Sequence, residues 1–288
     1  MGKLMVFKRM LITTDFSRHA AYALKRAIQV AEHAQAELTC LHVINQGWLS
    51  DLTKKENPEV PILIKKAELA HAEAMRNIVA RYPVNFLVLV GRVPERINQY
   101  MHEHAIELVF MGAHGTYYLN DYILGTNAES VVNQVKIPVQ LIKKEPSFSY
   151  QRILVTTDFS EVSKKATETA YQLYPHAEFL MLHVADVWYG KYLDDTKHHQ
   201  HFDDEMSQAL VDRLKHSLAE CAVDHSRFST KFISGYPADD IAKYAATWDA
   251  QLVVLGTRGR SLLHYILLGR VTNRLLRIIN TDMLVIPF

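Results

Sequence analysis

Three glycines near the middle of the chain have a spacing that could hold an anion. Gly112 and Gly115 are followed, after nine intervening residues, by Gly125, and Thr126 comes directly after it. Glycine lets the backbone approach a phosphate closely or adopt a positive φ. An apolar run precedes these residues and a segment with helical spacing follows them. The pattern predicts a strand, a glycine-rich loop and a helix amino terminus, whose N–H groups and dipole favour a phosphate.

The second half of the chain repeats this pattern with one change. Its three glycines keep an offset of 144 residues and are Gly256, Gly259 and Gly269. Arg270 stands where the first half has Thr126, so the hydroxyl group is lost. The guanidinium could contact a phosphate, or its bulk could fill the cradle. Thr272 lies two residues further on and could serve in part. The first half is therefore expected to form the better site.

Two aspartates occupy matching places near the start of each half. Asp15 and Asp158 each follow a short apolar strand, and Ser17 and Ser160 come two residues later as suitable helix N-caps. A carboxylate beside a triphosphate would be repelled, so Asp15 is expected at the nucleoside end of a bound nucleotide, accepting hydrogen bonds. Two plainer interpretations stay open. The aspartates could be helix-start residues, and the glycines could serve only the turn between a strand and a helix.

Short apolar runs alternate with helical segments through both halves. In the first half the strands are predicted at Met10–Thr14, Glu37–Ile44, Asn85–Val90, Glu107–Met111 and Val139–Ile142. A polar loop is predicted over Gln46–Pro61, and a long helix over Ile64–Tyr82. This order predicts an α/β fold with a doubly wound parallel sheet, which binds ligands at the carboxyl ends of its strands. If the first and fourth strands are neighbours, Asp15 and the glycine loop face each other across one crevice.

The chain contains an internal duplication. KRMLITTDFS at Lys8 returns as QRILVTTDFS at Gln151, and the matches keep nearly the same offset across the whole half. The polar segment Lys143–Tyr150 joins the halves, so domains are predicted at 1–146 and 147–288. A chain of 288 residues with 49% hydrophobic residues can bury two cores of ordinary size.

Charge and composition exclude several classes of protein. The formal net charge of +1 provides no basic field for nucleic acid or an anionic membrane. The amino terminus does not resemble a secretory signal, and the apolar runs are too short to span a bilayer. Cys40 and Cys221 are the only cysteines, which suggests a reducing compartment and supplies no cysteine-based zinc site. A cytoplasmic protein is expected.

Taken in order, these motifs resemble the universal stress protein family. The resemblance rests on strand-Asp-x-Ser, a strand with LHV, G-x-P, and G-x2-G-x9-G-[ST], and it covers both halves. It implies two tandem five-stranded domains of the adenine nucleotide α-hydrolase-like kind, packed as a pseudo-dimer. It also implies ATP as the ligand, with Mg as a candidate companion.

The resemblance assigns a nucleoside pocket and a phosphate cradle to each half. In the first half the matching residues are Asp15, Val43, Gly112, Gly115, Gly125 and Thr126. In the second half they are Asp158, Val184, Gly256, Gly259, Gly269 and, where the family has Ser or Thr, Arg270.

The function predicted from these features is a stress-response or regulatory protein that binds ATP or a related adenine nucleotide. No G-x4-G-K-[ST], no G-x-G-x-x-G after the first strand and no G-x-S-x-G is present, so a dedicated enzyme is not expected. One alternative is an interaction module with empty cradles. Another is a weak, metal-dependent nucleotide hydrolase that uses Asp15 or Asp158. A homodimer of the tandem chain is plausible, and the sequence does not identify protein partners.

Two further clusters have plainer interpretations. One short stretch is rich in residues that can bind metals, and it is predicted to be a solvated loop. It contains His198, His199, His201, Asp203 and Asp204. An apolar stripe is predicted to be core or interface and contains Leu262, Leu263, Ile266 and Leu267. His42 and His183 lie within strands, and we expect them to be buried or to face the sheet rather than to act as catalysts.

Overall fold

The computed structural model describes residues 7–45, 59–76, 78, 82–114, 125–186, 204–257 and 268–288, apart from the side chains of 204–207. They form two compact units, one ending at Phe148 and the other beginning at Ser149. Each unit is a parallel sheet with helices in its crossovers, so the predicted fold class is confirmed. The two units are called the amino-terminal and carboxyl-terminal domains below.

The amino-terminal domain alternates strands and helices from its first element. In chain order these are β1 (Arg9–Thr14), α1 (Arg18–Ala34), β2 (Glu37–Asn45), α2 (Glu59–Arg76), β3 (Asn85–Gly91), α3 (Val93–Glu103), β4 (Leu108–Gly112), α4 (Thr126–Gln134) and β5 (Val139–Ile142).

The carboxyl-terminal domain repeats this order. Its elements are β6 (Arg152–Thr156), α5 (Glu161–Leu173), β7 (Glu178–Asp186), α6 (Asp204–Ala219), a 3₁₀ turn (His225–Arg227), β8 (Phe228–Gly235), α7 (Pro237–Thr247), β9 (Leu252–Gly256), α8 (Arg270–Ile278) and β10 (Asp282–Ile286).

The two domains have the same strand order, in which the first strand lies at the centre of the sheet. It is β3-β2-β1-β4-β5 in the first and β8-β7-β6-β9-β10 in the second. All the neighbouring strand pairs within these two orders are parallel. Successive strands are therefore added on one side of the first strand and then on its other side. The switch point between these two directions lies between β1 and β4 in the first domain, and between β6 and β9 in the second. The carboxyl ends of these strands form the crevice where doubly wound sheets bind ligands.

The central strands are continuous apolar runs because both faces of each sheet are covered. Met10, Leu11 and Ile12 of β1 are fully buried, and Ile153 and Leu154 of β6 match them. Burial on both faces removes the alternation of polar and apolar residues, which is why short uninterrupted runs predicted these strands correctly.

The helix after β2 starts earlier than the sequence predicted. The predicted polar loop reached Pro61 and the helix began at Ile64, whereas α2 begins at Glu59 and contains Pro61 in its first turn. Proline is tolerated there because the first N–H groups of a helix have no partner inside it. The helix ends at Arg76 instead of Tyr82. The Tyr82 hydroxyl instead donates to the carbonyl of Ala36, at 2.6 Å.

Candidate functional site

A cavity of about 650 Å³ opens at the switch point of the amino-terminal domain. This volume lies within the range of about 300–1,000 Å³ that small-molecule sites commonly have. Strand ends contribute to its lining together with residues of α2, of α3 and of the start of α4. Its lining includes Asp15, Phe16, Val43, Lys66, Gly125 and Thr126.

The turn after β1 holds Asp15 at the edge of this cavity. Phe16 has a φ of 60°, an uncommon value for a bulky residue. Two hydrogen bonds stabilise the turn: the Phe16 N–H donates to Thr14 Oγ1 at 3.0 Å, and the Ser17 N–H donates to Asp15 Oδ1 at 3.0 Å. Asp15 therefore has a local structural role and also lines the cavity. The two interpretations of this aspartate are compatible.

The turn after β6 has the same backbone and equivalent backbone N–H hydrogen bonds, but its serine hydroxyl bonds to a different partner. Phe159 has a φ of 64°, and Asp158 Oδ1 accepts from the Ser160 N–H at 3.2 Å. The Ser160 hydroxyl also donates to that oxygen, at 2.6 Å. In the amino-terminal domain the Ser17 hydroxyl donates instead to the carbonyl of His114, at 3.4 Å. Asp158 is half-buried, whereas Asp15 is exposed at the cavity mouth.

Val43 and the residues around it bring the end of β2 to the same cavity. The side chain of Val43 is buried and lines the cavity. His42 Nδ1 donates to the carbonyl of Thr14 at 2.8 Å, and its ring centre lies 4.7 Å from that of Phe16. This hydrogen bond ties the end of β2 to the turn after β1. His183 repeats it in the carboxyl-terminal domain with Thr157, at 2.8 Å, and Val184 is buried beside it.

Gly112 is required by a close contact with α1. A Cβ atom built on this residue would lie 2.8 Å from the backbone nitrogen of Ala20 and 2.8 Å from the carbonyl carbon of His19. Real Cβ atoms essentially never approach that closely, so a side chain here would push β4 away from α1. The approach that needs glycine at this position is therefore one between two protein backbones. Gly256 ends β9 in the same way.

Gly125 is the N-cap of α4 and exposes the start of that helix to the cavity. Its φ of −61° and ψ of 141° are extended, and its N–H donates to the carbonyl of Ala113 at 2.8 Å. Unlike α1, where the Ser17 hydroxyl accepts from the Ala20 N–H, α4 has no side-chain cap. The first N–H groups of a helix have no acceptor inside it, so α4 presents donors to the cavity beside the Thr126 side chain.

Gly269 has the same conformation at the start of α8, with a φ of −64° and a ψ of 155°. Its N–H donates to the carbonyl of Thr257 at 2.7 Å. Arg270 follows and is exposed, and Thr272 donates its hydroxyl hydrogen to the carbonyl of Gly256 at 2.8 Å. The hydroxyl that could have replaced Thr126 thus joins α8 to the end of β9. Gly115 and Gly259 lie outside the described residues.

Two residues that line the cavity, Lys66 and Phe16, were not predicted from the sequence. Lys66 reaches the cavity from α2 as an exposed cation, and nothing in its local sequence marks it. Phe16 belongs to the repeated TTDFS segment, so the duplication itself was the available signal. Its positive φ is a property of the backbone that residue type does not indicate, because phenylalanine is rarely found there.

In the part of the chain that the structure describes, neither the cysteines nor the side chains that could bind a metal ion form a second functional site. Burial raises the pKa of Cys40 to about 12 and that of Cys221 to about 11, so both thiols stay protonated at neutral pH. Among the described residues no three His, Cys, Asp or Glu side chains come close enough to hold a metal ion. The apolar stripe at 262–267 and the cluster at 198–203 lie outside them, and the Asp204 side chain is not described.

The strand order, the glycine-capped helices and the cavity at the switch point define a tandem pair of doubly wound α/β domains. None of the described helices has the length and apolar character needed to cross a membrane. The sequence profile of the universal stress protein family matches residues 6–143 and again 149–287. The chain therefore belongs to the universal stress protein family and carries two of its domains.

The chain is also similar to individual proteins and solved structures. Universal stress protein MJ0577 of Methanocaldococcus jannaschii is 27% identical over 156 residues, which are 49% of this chain and 96% of the relative. A universal stress protein crystal structure from Archaeoglobus fulgidus covers 98% of this chain and 99% of its own, with a TM-score of 0.73 and 19% identity. A further universal stress protein, solved in complex with cAMP, is 23% identical over 48% of this chain and 98% of its own, with a TM-score of 0.33.

Proposed function

We propose that the amino-terminal domain binds an adenine nucleotide, ATP or a close relative, and that the chain is a regulatory stress-response protein. The observation that supports this most strongly is the cavity of about 650 Å³, which brings Asp15 and the glycine-capped start of α4 into one enclosure. A nucleotide needs an apolar space for its base, acceptors for its polar edge and donors for its phosphates. One cavity supplies all three.

The charges of the cavity walls indicate where each part of the nucleotide would lie. The phosphates belong at the start of α4, where N–H groups that have no acceptor within the helix and the helix dipole favour an anion and Thr126 adds a hydroxyl. The Asp15 carboxylate would repel phosphates and belongs at the nucleoside end, accepting hydrogen bonds from ribose or base. The apolar walls, which include Val43 and Ile97, suit the base.

A role in binding rather than catalysis is part of the proposal. The Asp15 carboxylate that could assist a hydrolysis already accepts the Ser17 N–H and helps to hold the turn after β1. Turnover of a bound nucleotide is therefore expected to be slow and incidental. Pseudo-dimer packing of the domains, a homodimer of the chain and a cytoplasmic location stay predictions.

The carboxyl-terminal domain fits the alternative role of a structural or interaction module. Its Asp158 carboxylate accepts two hydrogen bonds from Ser160, and its Thr272 hydroxyl donates to Gly256. Groups that could face a ligand are thus engaged within the domain. One nucleotide per chain is the stoichiometry we propose.

Substitution of the two N-cap glycines tests this function. Gly125→Leu keeps an allowed backbone because φ is −61°, but it places a large side chain at the start of α4. ATP affinity, measured by isothermal titration calorimetry, is expected to fall at least a hundredfold. Gly269→Leu is the matched control, since that residue has the same conformation, and it should leave binding unchanged.

Native mass spectrometry of the purified protein supplies the second readout. One ATP or ADP per chain is expected for the wild type and for Gly269→Leu, and none for Gly125→Leu. Absence of any nucleotide from the wild type, together with a melting temperature that added ATP does not change, would overturn the nucleotide proposal and favour the interaction module.

A further inference from the structure

A second, smaller cavity lies behind the ring of Phe16. This side chamber has a volume of about 250 Å³ and shares several walls with the main cavity. Its lining comprises Thr14, Phe16, Ala20, Ala21, Leu24, Cys40, Ala70, His71, Glu73 and Ala74. Methyl groups, two rings and a thiol make up most of this surface, and the Glu73 carboxylate adds a charged group. Leu24 and Cys40 are buried, at 3% and 0% exposure.

Three alanines on one face of α2 leave space for the side chamber. Ala67, Ala70 and Ala74 are three and four residues apart, so they lie on the same face of the helix. Ala67 is buried, while Ala70 and Ala74 line the side chamber. Opposite them, β2 contributes the small side chain of Cys40. Larger residues at these positions would occupy the space.

The carboxyl-terminal domain fills the equivalent space with large side chains. Cys40 pairs with Ile12 and Met181 pairs with Val155 in matching registers, so Met181 replaces Cys40. From α6, Leu214 and Leu218 pack with Met181 in one buried cluster, and Phe159 packs against it. The same fold therefore closes this space readily, which means that the opening in the amino-terminal domain is not imposed by the topology.

The chemistry of the walls specifies the kind of ligand. The volume of about 250 Å³ exceeds the roughly 150 Å³ that suffices for a benzene ring, and the exposed Glu73 carboxylate lies in the lining, where it can accept a hydrogen bond. The Phe16 ring and the His71 imidazole offer aromatic contacts. Burial lowers the pKa of His71, so this ring is neutral at pH 7 and suits an uncharged ligand. The Thr14 hydroxyl can hydrogen-bond a single polar group on such a ring.

We propose that the side chamber binds small, uncharged aromatic molecules that carry one polar group, between Phe16 and the alanine face of α2. This site adjoins the proposed nucleotide site, and Thr14, Phe16, Ala20 and Ala70 line both cavities. It does not depend on nucleotide binding, so either proposal can fail while the other stands.

Indole is the probe for the test, and ligand-observed NMR on the full chain measures its binding. Ala74→Leu places in the side chamber the residue type that fills the carboxyl-terminal domain, and at least a tenfold loss of indole affinity is expected. Ala72→Leu is the matched control, because it makes the same change on the exposed face of α2. Its indole affinity should equal that of the wild type.

Two further measurements locate the bound indole. If Ala74→Leu does not fold, Cys40→Met fills the side chamber from the β2 side and should also abolish binding. In the wild type, nuclear Overhauser effects should join indole protons to the methyl groups of Ala74 and Leu24. Lack of indole binding to the wild type would overturn the proposal. So would equal binding to the filled variants, or displacement by ATP without any contact to those methyls.

Discussion

The two domains share one backbone design and differ in how tightly it is filled. Phe16 and Phe159 have φ values of 60° and 64° in turns held by equivalent hydrogen bonds. Beneath these turns, α2 presents alanines to a cavity of about 250 Å³, whereas α6 presents Leu214 and Leu218 to a packed cluster. Duplication preserved the turn, and the side chains beneath it diverged.

This difference indicates which residues the fold requires and which a ligand would require. The turn hydrogen bonds and the glycine at the end of β4 maintain the backbone, so both copies keep their equivalents. Side-chain volume on the helix after the second strand is not needed for the topology. It determines whether a domain contains space for a ligand, and a loosely filled domain gives up packing energy for that space.

Among the variants that test this comparison, Leu214→Ala should have the largest effect on stability. Leu214 is 1% exposed in the buried cluster, and its truncation should lower the free energy of unfolding by about 2–5 kcal/mol. Thermal and urea unfolding measure the change. Leu69→Ala is the matched control, because Leu69 is 61% exposed on α2, and it should change stability by no more than about 0.5 kcal/mol. Equal losses in both variants would contradict a tightly filled carboxyl-terminal domain.

Thr126→Ala should give a smaller, specific effect on nucleotide binding. The variant removes one hydroxyl and keeps the backbone N–H, so a loss of about 1.5 kcal/mol, near tenfold in affinity, is expected from a hydrogen bond to a charged phosphate. Arg270→Ala makes the corresponding change in the other domain and should leave ATP affinity and stoichiometry unchanged. Calorimetric titrations compare the two. Weaker binding in Arg270→Ala alone would place the nucleotide in the carboxyl-terminal domain.

The sequence predicted most of the architecture, because the sheet is built from signals that are local. Buried parallel strands are continuous apolar runs, and their alternation with helices implies the crossovers. The nearness of Asp15 and the glycine loop was predicted on the condition that the first and fourth strands are neighbours, and β1 does pair with β4.

The remaining features depend on contacts between segments that are distant in the chain. Proline at position 61 suggested a loop, and only the place of this residue in the first turn shows why a helix tolerates it. Lys66 became a cavity residue only when α2 was placed beside the strand ends. The alanines of α2 were visible in the sequence. Their meaning required the register that sets Cys40 against Met181.

The smallest predicted effect concerns a cation–π contact at the turn after β6. The Arg213 guanidinium carbon lies 4.5 Å from the centre of the Phe159 ring, so this cation covers the residue with the positive φ. Because Arg213 is exposed, the interaction should contribute only about 0.5–1 kcal/mol to the free energy of unfolding. A double-mutant cycle of Arg213→Gln with Phe159→Leu isolates this coupling from the loss of the ring's own packing. Coupling below about 0.3 kcal/mol, within the additivity expected for independent sites, would mean that the cation does not stabilise this turn and that packing alone covers Phe159.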